Sequence, residues 1–315
     1  MTDIDEKSLL ENVFNYTNLV HAISGAVGSG FALTVFYPLD TVRTRLQVDD
    51  HRKPKHLHEI LREIFTEEGL LSLYRGLYPV VASLCCSNFV YFYTFNGLKV
   101  VNMANTGTSG PAKDLLMAFI AGCINVLVTT PLWVVNTRIK LQGVQFKTET
   151  HQEKKVPKYT GLIDGLMRIW REEGIRSLWS GTLPSLVLVS NPSVQFMVYE
   201  SLKRYLQRMS GVEELSGLTY FLLGAIAKMC ATFLTYPMQV IQSRLRAGYH
   251  KKELADLNFI QQLRNMIRNN GVLMLYKGLE AKLYQTVLTA ALMFLTYEKI
   301  SHFIFRLMGI ELKAT

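Results

Sequence analysis

At 315 residues the chain could hold two soluble domains, but 49% hydrophobic content and a positive mean hydropathy argue against a water-soluble fold. The formal charge of +9 would suit a nucleic-acid binder, yet 23 of the 34 lysines and arginines fall in three polar connections, Arg43 to Arg75, Arg138 to Arg176 and Arg244 to Lys277. No DNA- or RNA-binding motif accompanies them, so no nucleic-acid partner is expected.

In chain order, runs free of Asp, Glu, Lys and Arg cover Asn12 to Leu39, Gly76 to Leu98, Leu115 to Thr137 and Ser177 to Tyr199. A fifth, Leu215 to Ser243, is interrupted only by Lys228, and a shorter sixth spans Leu283 to Tyr297. A helix rises about 1.5 Å per residue, so runs of this size cross roughly 30 Å of hydrocarbon. Only helices satisfy their backbone there without closing a barrel, which predicts an all-α membrane protein with six spans. The N-terminal stretch MTDIDEKSLLENVF reads as an acidic tail, residues 1–15, with neither a secretory signal nor an Arg-rich transit peptide. Cys85, Cys86, Cys123 and Cys230 lie within apolar runs without metal-ligand spacing and read as buried hydrophobes.

The odd-numbered spans end alike, in FYPLDTVRTRLQ, TTPLWVVNTRIK and TYPMQVIQSRLR. Pro38, Pro131 and Pro237 predict helix kinks, and an arginine follows each proline seven residues on, at Arg45, Arg138 and Arg244. Small residues precede each proline by thirteen and by ten positions: Gly25, Ala118 and Gly224, then Gly28, Ala121 and Ala227. Their spacing predicts close helix packing in lipid.

A polar linker and an amphipathic segment follow each odd span: LHEILREIFTEEG, LIDGLMRIWREEG and FIQQLRNMIRNNG. These predict short interfacial helices ending in left-handed glycine caps at Gly69, Gly174 and Gly271. A second glycine at Gly76, Gly181 and Gly278 follows an aromatic, Tyr74, Trp179 or Tyr276. The even spans then run to FNGLK, YESLK and YEKIS. The repeats are 16–106, 113–210 and 216–310, within one integral membrane domain.

Three helix pairs that cannot each bury their own faces predict a pseudo-threefold ring around a wet interior. Asp40, Arg43, Trp133, Asn136, Gln239 and Gln242 form one polar layer, the inner gate. Asn96, Lys99, Glu200, Lys203, Glu298 and Ser301 form the other, the cytosolic gate, in which Lys99 can meet Glu200 and Lys203 can meet Glu298. Two layers that close alternately describe a transporter with a midplane site. Lys228, eleven residues before Gln239, shares the face of the gate and is the candidate phosphate-binding cation. No HExxH, GxSxG or Gly-rich phosphate loop followed by Lys occurs, so no enzyme is predicted.

The triplicated P-x-[DE]-x-x-[KR] signature, the glycine-bounded helices and the [FY]-[DE]-x-x-[KR] endings resemble the mitochondrial carrier family over nearly the whole chain. SLCCSNFVYFYTFN, TTPLWVVNTR, LYKGLEAKL and QTVLTAALMFLTYEK resemble its peroxisomal carriers of coenzyme A and adenine nucleotides. The resemblance implies antiport, cytosolic termini and interfacial helices on the organelle-interior side. Coenzyme A, FAD, NAD and adenine nucleotides (AMP, ADP) are implied as cargo, with no resident cofactor and no metal. A monomer in the lipid bilayer of the peroxisome is expected, inserted by the peroxisomal membrane-protein import machinery. The alternatives are a mitochondrial inner-membrane carrier and a loosely gated nucleotide channel.

Carried over residue by residue, the family's contact positions fall on Ser83, Val187 or Leu188, and Gln285 or Thr286. The apolar pair would suit a purine ring. Further along those faces, Ser87, Tyr91, Asn191 and Gln195 either read base and ribose or serve as polar links between helices. The inner gate departs from the family pattern, since only Asp40 and Arg43 keep the charged pair. It is expected to be the weaker gate, relying on amides and the Trp133 indole.

Overall fold

The computed structural model describes residues 16–48, 57–106, 110–142, 145–147, 153–155, 158–211, 214–248, 261, 264, 267–268 and 271–307. The tail 1–15 and most of the third amphipathic segment lie outside them. The described chain is almost wholly helical: α1 (Tyr16–Val48), α2 (Leu57–Glu68), α3 (Leu70–Leu73), α4 (Leu77–Thr106), α5 (Pro111–Lys140), α6 (Leu162–Glu173), α7 (Thr182–Leu188), α8 (Asn191–Ser210), α9 (Gly217–Ala247) and α10 (Leu279–Leu307). Two three-residue strands, β1 (Gln145–Lys147) and β2 (Glu153–Lys155), pair antiparallel with Phe146 opposite Lys154, a hairpin that the basic linker did not announce.

Two compact units divide the chain, Met1–Asp40 with Ala281–Thr315, and Thr41–Glu280. In the first, Gly28 of α1 lies where a Cβ would sit 3.4 Å from the Met293 carbonyl and the Tyr297 amide of α10, so the small residue permits backbone approach. The same register is fully buried in the second unit at Ala121 and Ala227. The other small-residue register packs less tightly than expected: a Cβ at Gly25 or Gly224 would meet nothing within 4 Å.

Within the second unit, the helices Leu70–Asn102, Lys113–Lys140 and Gly217–Ala247 are long and apolar enough to cross a membrane. Cys85, Cys86 and Cys230 are exposed on these helices rather than buried as expected, and a small apolar thiol is tolerated at such a position in a span. The first and last predicted spans are helices of 33 and 29 residues, so the sixth is longer than its charge-free run suggested. The fourth span differs from its expected single helix. It is broken between α7 and α8, where Val189 and Ser190 make tight bonds to the carbonyls of Leu186 and Val187. The cause is Asn191–Pro192 at the start of α8. A proline has no N–H for the carbonyl four residues back, so the ladder shifts to three-residue bonds while Val189 and Ser190 keep right-handed helical dihedrals.

The three kink prolines sit inside α1, α5 and α9, which continue past them. Pro131 deprives the Leu127 carbonyl of its helical donor. The Trp179 indole N–H takes that place at 2.8 Å, so the aromatic before the second glycine caps a proline-freed carbonyl.

The first two amphipathic helices pack on the proline ends of α1 and α5. Ile60 and Ile64 of α2 join Val42, Leu46 and Leu73 in one buried cluster. Ile169 of α6 joins Val134, Val135, Ile139, Tyr159 and Leu178 in another. Gly165 lets α6 lie directly on Val135, whose methyls occupy the space a Cβ would need. Phe65 and Trp170, at 52% and 60% exposure, face away from these clusters. Gly69, Gly174 and Gly271 have positive φ but ψ near 165°, an extended glycine region rather than the left-handed cap expected. The left-handed turn comes at Gly181, with φ 80° and ψ 13°, where a Cβ would also stand 3.1 Å from the Gln242 carbonyl.

Candidate substrate site and gates

The C-terminal ends of α1, α5 and α9 converge, with Val48, Leu141 and Ala247 forming one buried cluster. Just above it the predicted inner gate is joined by amides. Arg43 donates to the Gln239 Oε1 at 3.1 Å, Asn136 donates to the Ser83 hydroxyl at 2.7 Å, and Gln242 donates to the Ser185 hydroxyl at 2.7 Å. Trp133 is half-buried, and no side-chain hydrogen bond of its indole appears among the described residues. Asp40 belongs to the other compact unit.

The layer holds more contacts than its two substituted pairs suggest, because arginines beyond them cap helix carbonyls. Arg244 donates to the Gln47 carbonyl at 2.8 Å, Arg138 to the Arg246 carbonyl at 3.1 Å, and Arg75 to the Gln142 carbonyl. Each meets the negative end of a helix dipole. Ser243 adds a bond to the Gln47 side chain at 2.6 Å.

Sequence reasoning noted the arginine seven residues after each proline but missed the acids they meet. Arg45 is gripped by both carboxylate oxygens of Glu68, at 2.5 and 3.0 Å, and Arg138 by both oxygens of Glu173. Such bidentate pairs are strong and geometrically specific. The signal was available, since an acid precedes the first glycine in two repeats and Asn270 replaces it in the third, where Arg244 instead takes a carbonyl. Tyr159 lines the same corner, and burial pushes its hydroxyl up against the opposing pull of Arg138.

The cytosolic layer is not joined as expected. Lys99 and Glu200 make no ion pair among the described residues. Glu200 pairs within its own helix, with Lys203 at 3.9 Å and Arg204 at 3.6 Å, and Lys203 also lies 5.9 Å from the Tyr220 ring centroid. Among the described residues the layer joined across helices is therefore the inner one. Asn96 is exposed; the side chains of Glu298 and Ser301 lie outside the described residues.

Between the layers, Lys228 of α9 donates to the Gln195 Oε1 of α8 at 3.1 Å. One turn earlier on α8, Asn191 donates to the Thr235 hydroxyl at 2.6 Å. On α4, Ser87 and Asn125 of α5 hydrogen-bond at about 3 Å, and the Tyr91 ring stacks on Phe95 at 6.2 Å. Thr235 and Asn125 were not foreseen, though both lie on gate-facing helices. Of the expected apolar pair, Val187 is 45% exposed and stands beside Leu188 at the end of α7. Ser83 is fully buried and accepts from Asn136, which joins it to the inner layer. In the other unit, Gln285 is buried with its Oε1 unpartnered among the described residues, and Thr286 donates to the Lys282 carbonyl at 2.8 Å. Gly122, which occupies the Lys228 position one repeat back, is covered by Val189, whose Cγ1 would lie 2.6 Å from a Cβ there.

Three proline-containing apolar helices in repeated register, with one polar layer joined and a cation midway along a span, define a multi-pass membrane carrier. A family model described as mitochondrial carrier protein matches residues 14–105, 107–210 and 213–307, and the chain belongs to that family. It is a transporter of small molecules and not an enzyme. It is 55% identical over 311 residues to peroxisomal membrane protein PMP34 of Mus musculus, covering 96% of this chain and 98% of that one. It is 34% identical to the peroxisomal nicotinamide adenine dinucleotide carrier of Arabidopsis thaliana, with 90% and 95% covered. It is 31% identical to the peroxisomal adenine nucleotide carrier 1 of Glycine max, with 90% and 91% covered.

Proposed function

We propose that this chain exchanges coenzyme A, FAD, NAD and adenine nucleotides across the peroxisomal membrane by alternating access, with both termini in the cytosol. The observation that carries the reading is Lys228, a cation midway along α9 whose ammonium, among the described residues, reaches only an uncharged amide, Gln195, at 3.1 Å. A cation in a span is costly unless it has a partner of opposite charge or water, and a phosphate supplies the former. Asn191, Gln195, Ser87 and Tyr91 offer amide, hydroxyl and aromatic contacts for ribose and base, and Val187 with Leu188 an apolar wall for a purine. By sequence register alone, Gln285 and Thr286 are the contacts expected of the third repeat. The names of the relatives support a nucleotide cargo and a peroxisomal address, and the many contacts closing the inner gate favour a carrier over a loosely gated channel.

Liposomes preloaded in turn with coenzyme A, FAD, NAD or AMP test this. The wild type exchanges labelled AMP only against internal substrate, and Lys228→Gln loses most of that exchange. Unchanged uptake by Lys228→Gln, or flux independent of internal substrate, overturns the reading. A fluorescent fusion that colocalises with mitochondria rather than peroxisomes overturns the address.

A further inference from the structure

Lys228, Thr235 and Gln239 lie seven and four residues apart on one face of α9, and Asn191 and Gln195 lie one turn apart on α8. The Thr235 oxygen accepts two amide N–H groups at once, from Asn191 at 2.6 Å and from Gln239 at 3.3 Å. Its own proton goes to the Ala231 carbonyl at 2.8 Å, with the Thr232 carbonyl at 3.4 Å. A hydroxyl has one proton and two lone pairs, so this one is saturated. The Gln239 amide, its nitrogen held by Thr235, turns its oxygen to Arg43.

We propose that Thr235 is the positioning residue that couples the substrate site to the inner gate, a role that rests on the site reading above. One oxygen fixes the amide of Asn191, which faces the cargo, and the orientation of Gln239, which holds the gate. Removing that oxygen frees Asn191 to swing out of register. It also lets the Gln239 amide rotate and set its NH2 against the Arg43 guanidinium, where donor faces donor. Substrate affinity and gate closure therefore change together through a residue that touches neither cargo nor Arg43.

The test is exchange and leak of labelled AMP by full-length protein in liposomes. Thr235→Val keeps the shape and removes the hydroxyl; Thr235→Ala does so without any risk of overpacking. Both raise KM by roughly two- to tenfold, the loss of one neutral hydrogen bond. Both also speed AMP efflux into medium lacking counter-substrate, and Thr235→Ser restores both values. A shift in KM without faster efflux, faster efflux without a shift in KM, or failure of serine to restore them overturns the coupling. Lys228→Gln separates the two levels. Normal AMP exchange in that variant removes the site reading itself, whereas lost exchange beside silent Thr235 variants removes only the coupling.

Discussion

Replacing Trp179 by Phe keeps an aromatic ring against α5 and deletes one N–H. That N–H lies 2.8 Å from the Leu127 carbonyl, which Pro131 leaves without a helical donor. The net loss should be about 1 kcal/mol, approaching about 3 kcal/mol if the carbonyl is left dry. Trp179 is 40% exposed, so water reaches the corner and the lower figure is expected. In a detergent melt this is a fall of a few degrees. The physical claim is sharper than the fall. On a Pro131→Ala background the backbone N–H gained at that position serves Leu127, and Trp179→Phe should then cost less than about 0.5 kcal/mol. The double-mutant cycle would give a coupling of about 1 kcal/mol between an indole and a proline, although neither supplies an acceptor to the other. Equal destabilisation on both backgrounds would refute the carbonyl-capping argument and reduce Trp179 to a packing residue.

Glu173→Gln leaves the buried Arg138 guanidinium with a neutral partner, and a loss of roughly 2–3 kcal/mol is expected from melts of the purified protein. Gly165→Ala drives a methyl into Val135, costing about 1–3 kcal/mol, and Val135→Ala should recover part of it in the same assay. The Thr160 backbone N–H and the Arg168 guanidinium hold the partly exposed Asp164 carboxylate below its usual range. A depressed folded pKa adds stability above the unfolded value and loses it as pH falls through the folded one. Amide exchange at the start of α6 should therefore rise below about pH 4 in the wild type and already be raised at neutral pH in Asp164→Asn.

Most of the fold was legible because lipid imposes strict rules on sequence. Long uncharged runs mark spans, and a proline at a repeated register marks three homologous helix ends. The break in the fourth span was missed because an uncharged run conceals Asn191–Pro192 within it, and hydropathy does not register a missing N–H. The two Glu–Arg grips were missed for another reason: each joins residues 23 or 35 positions apart, where no local periodicity connects them. Lys228 stood out because a charge in a span is rare, while Thr235 did not, since threonine is common there. Its importance lies in which two amides it receives, and only three-dimensional placement reveals that.

The arginine caps on the helix ends follow a rotation. The first repeat, through Arg75, holds the end of the second; the second, through Arg138, holds the third; and the third, through Arg244, holds the first. In a circular arrangement no repeat can swing aside without dropping its neighbour and being dropped in turn. Unlatching is thus expected to be concerted, with partly released forms too strained to accumulate. A defect introduced at any one cap should loosen all three, making the carrier leak as a whole rather than along one wall.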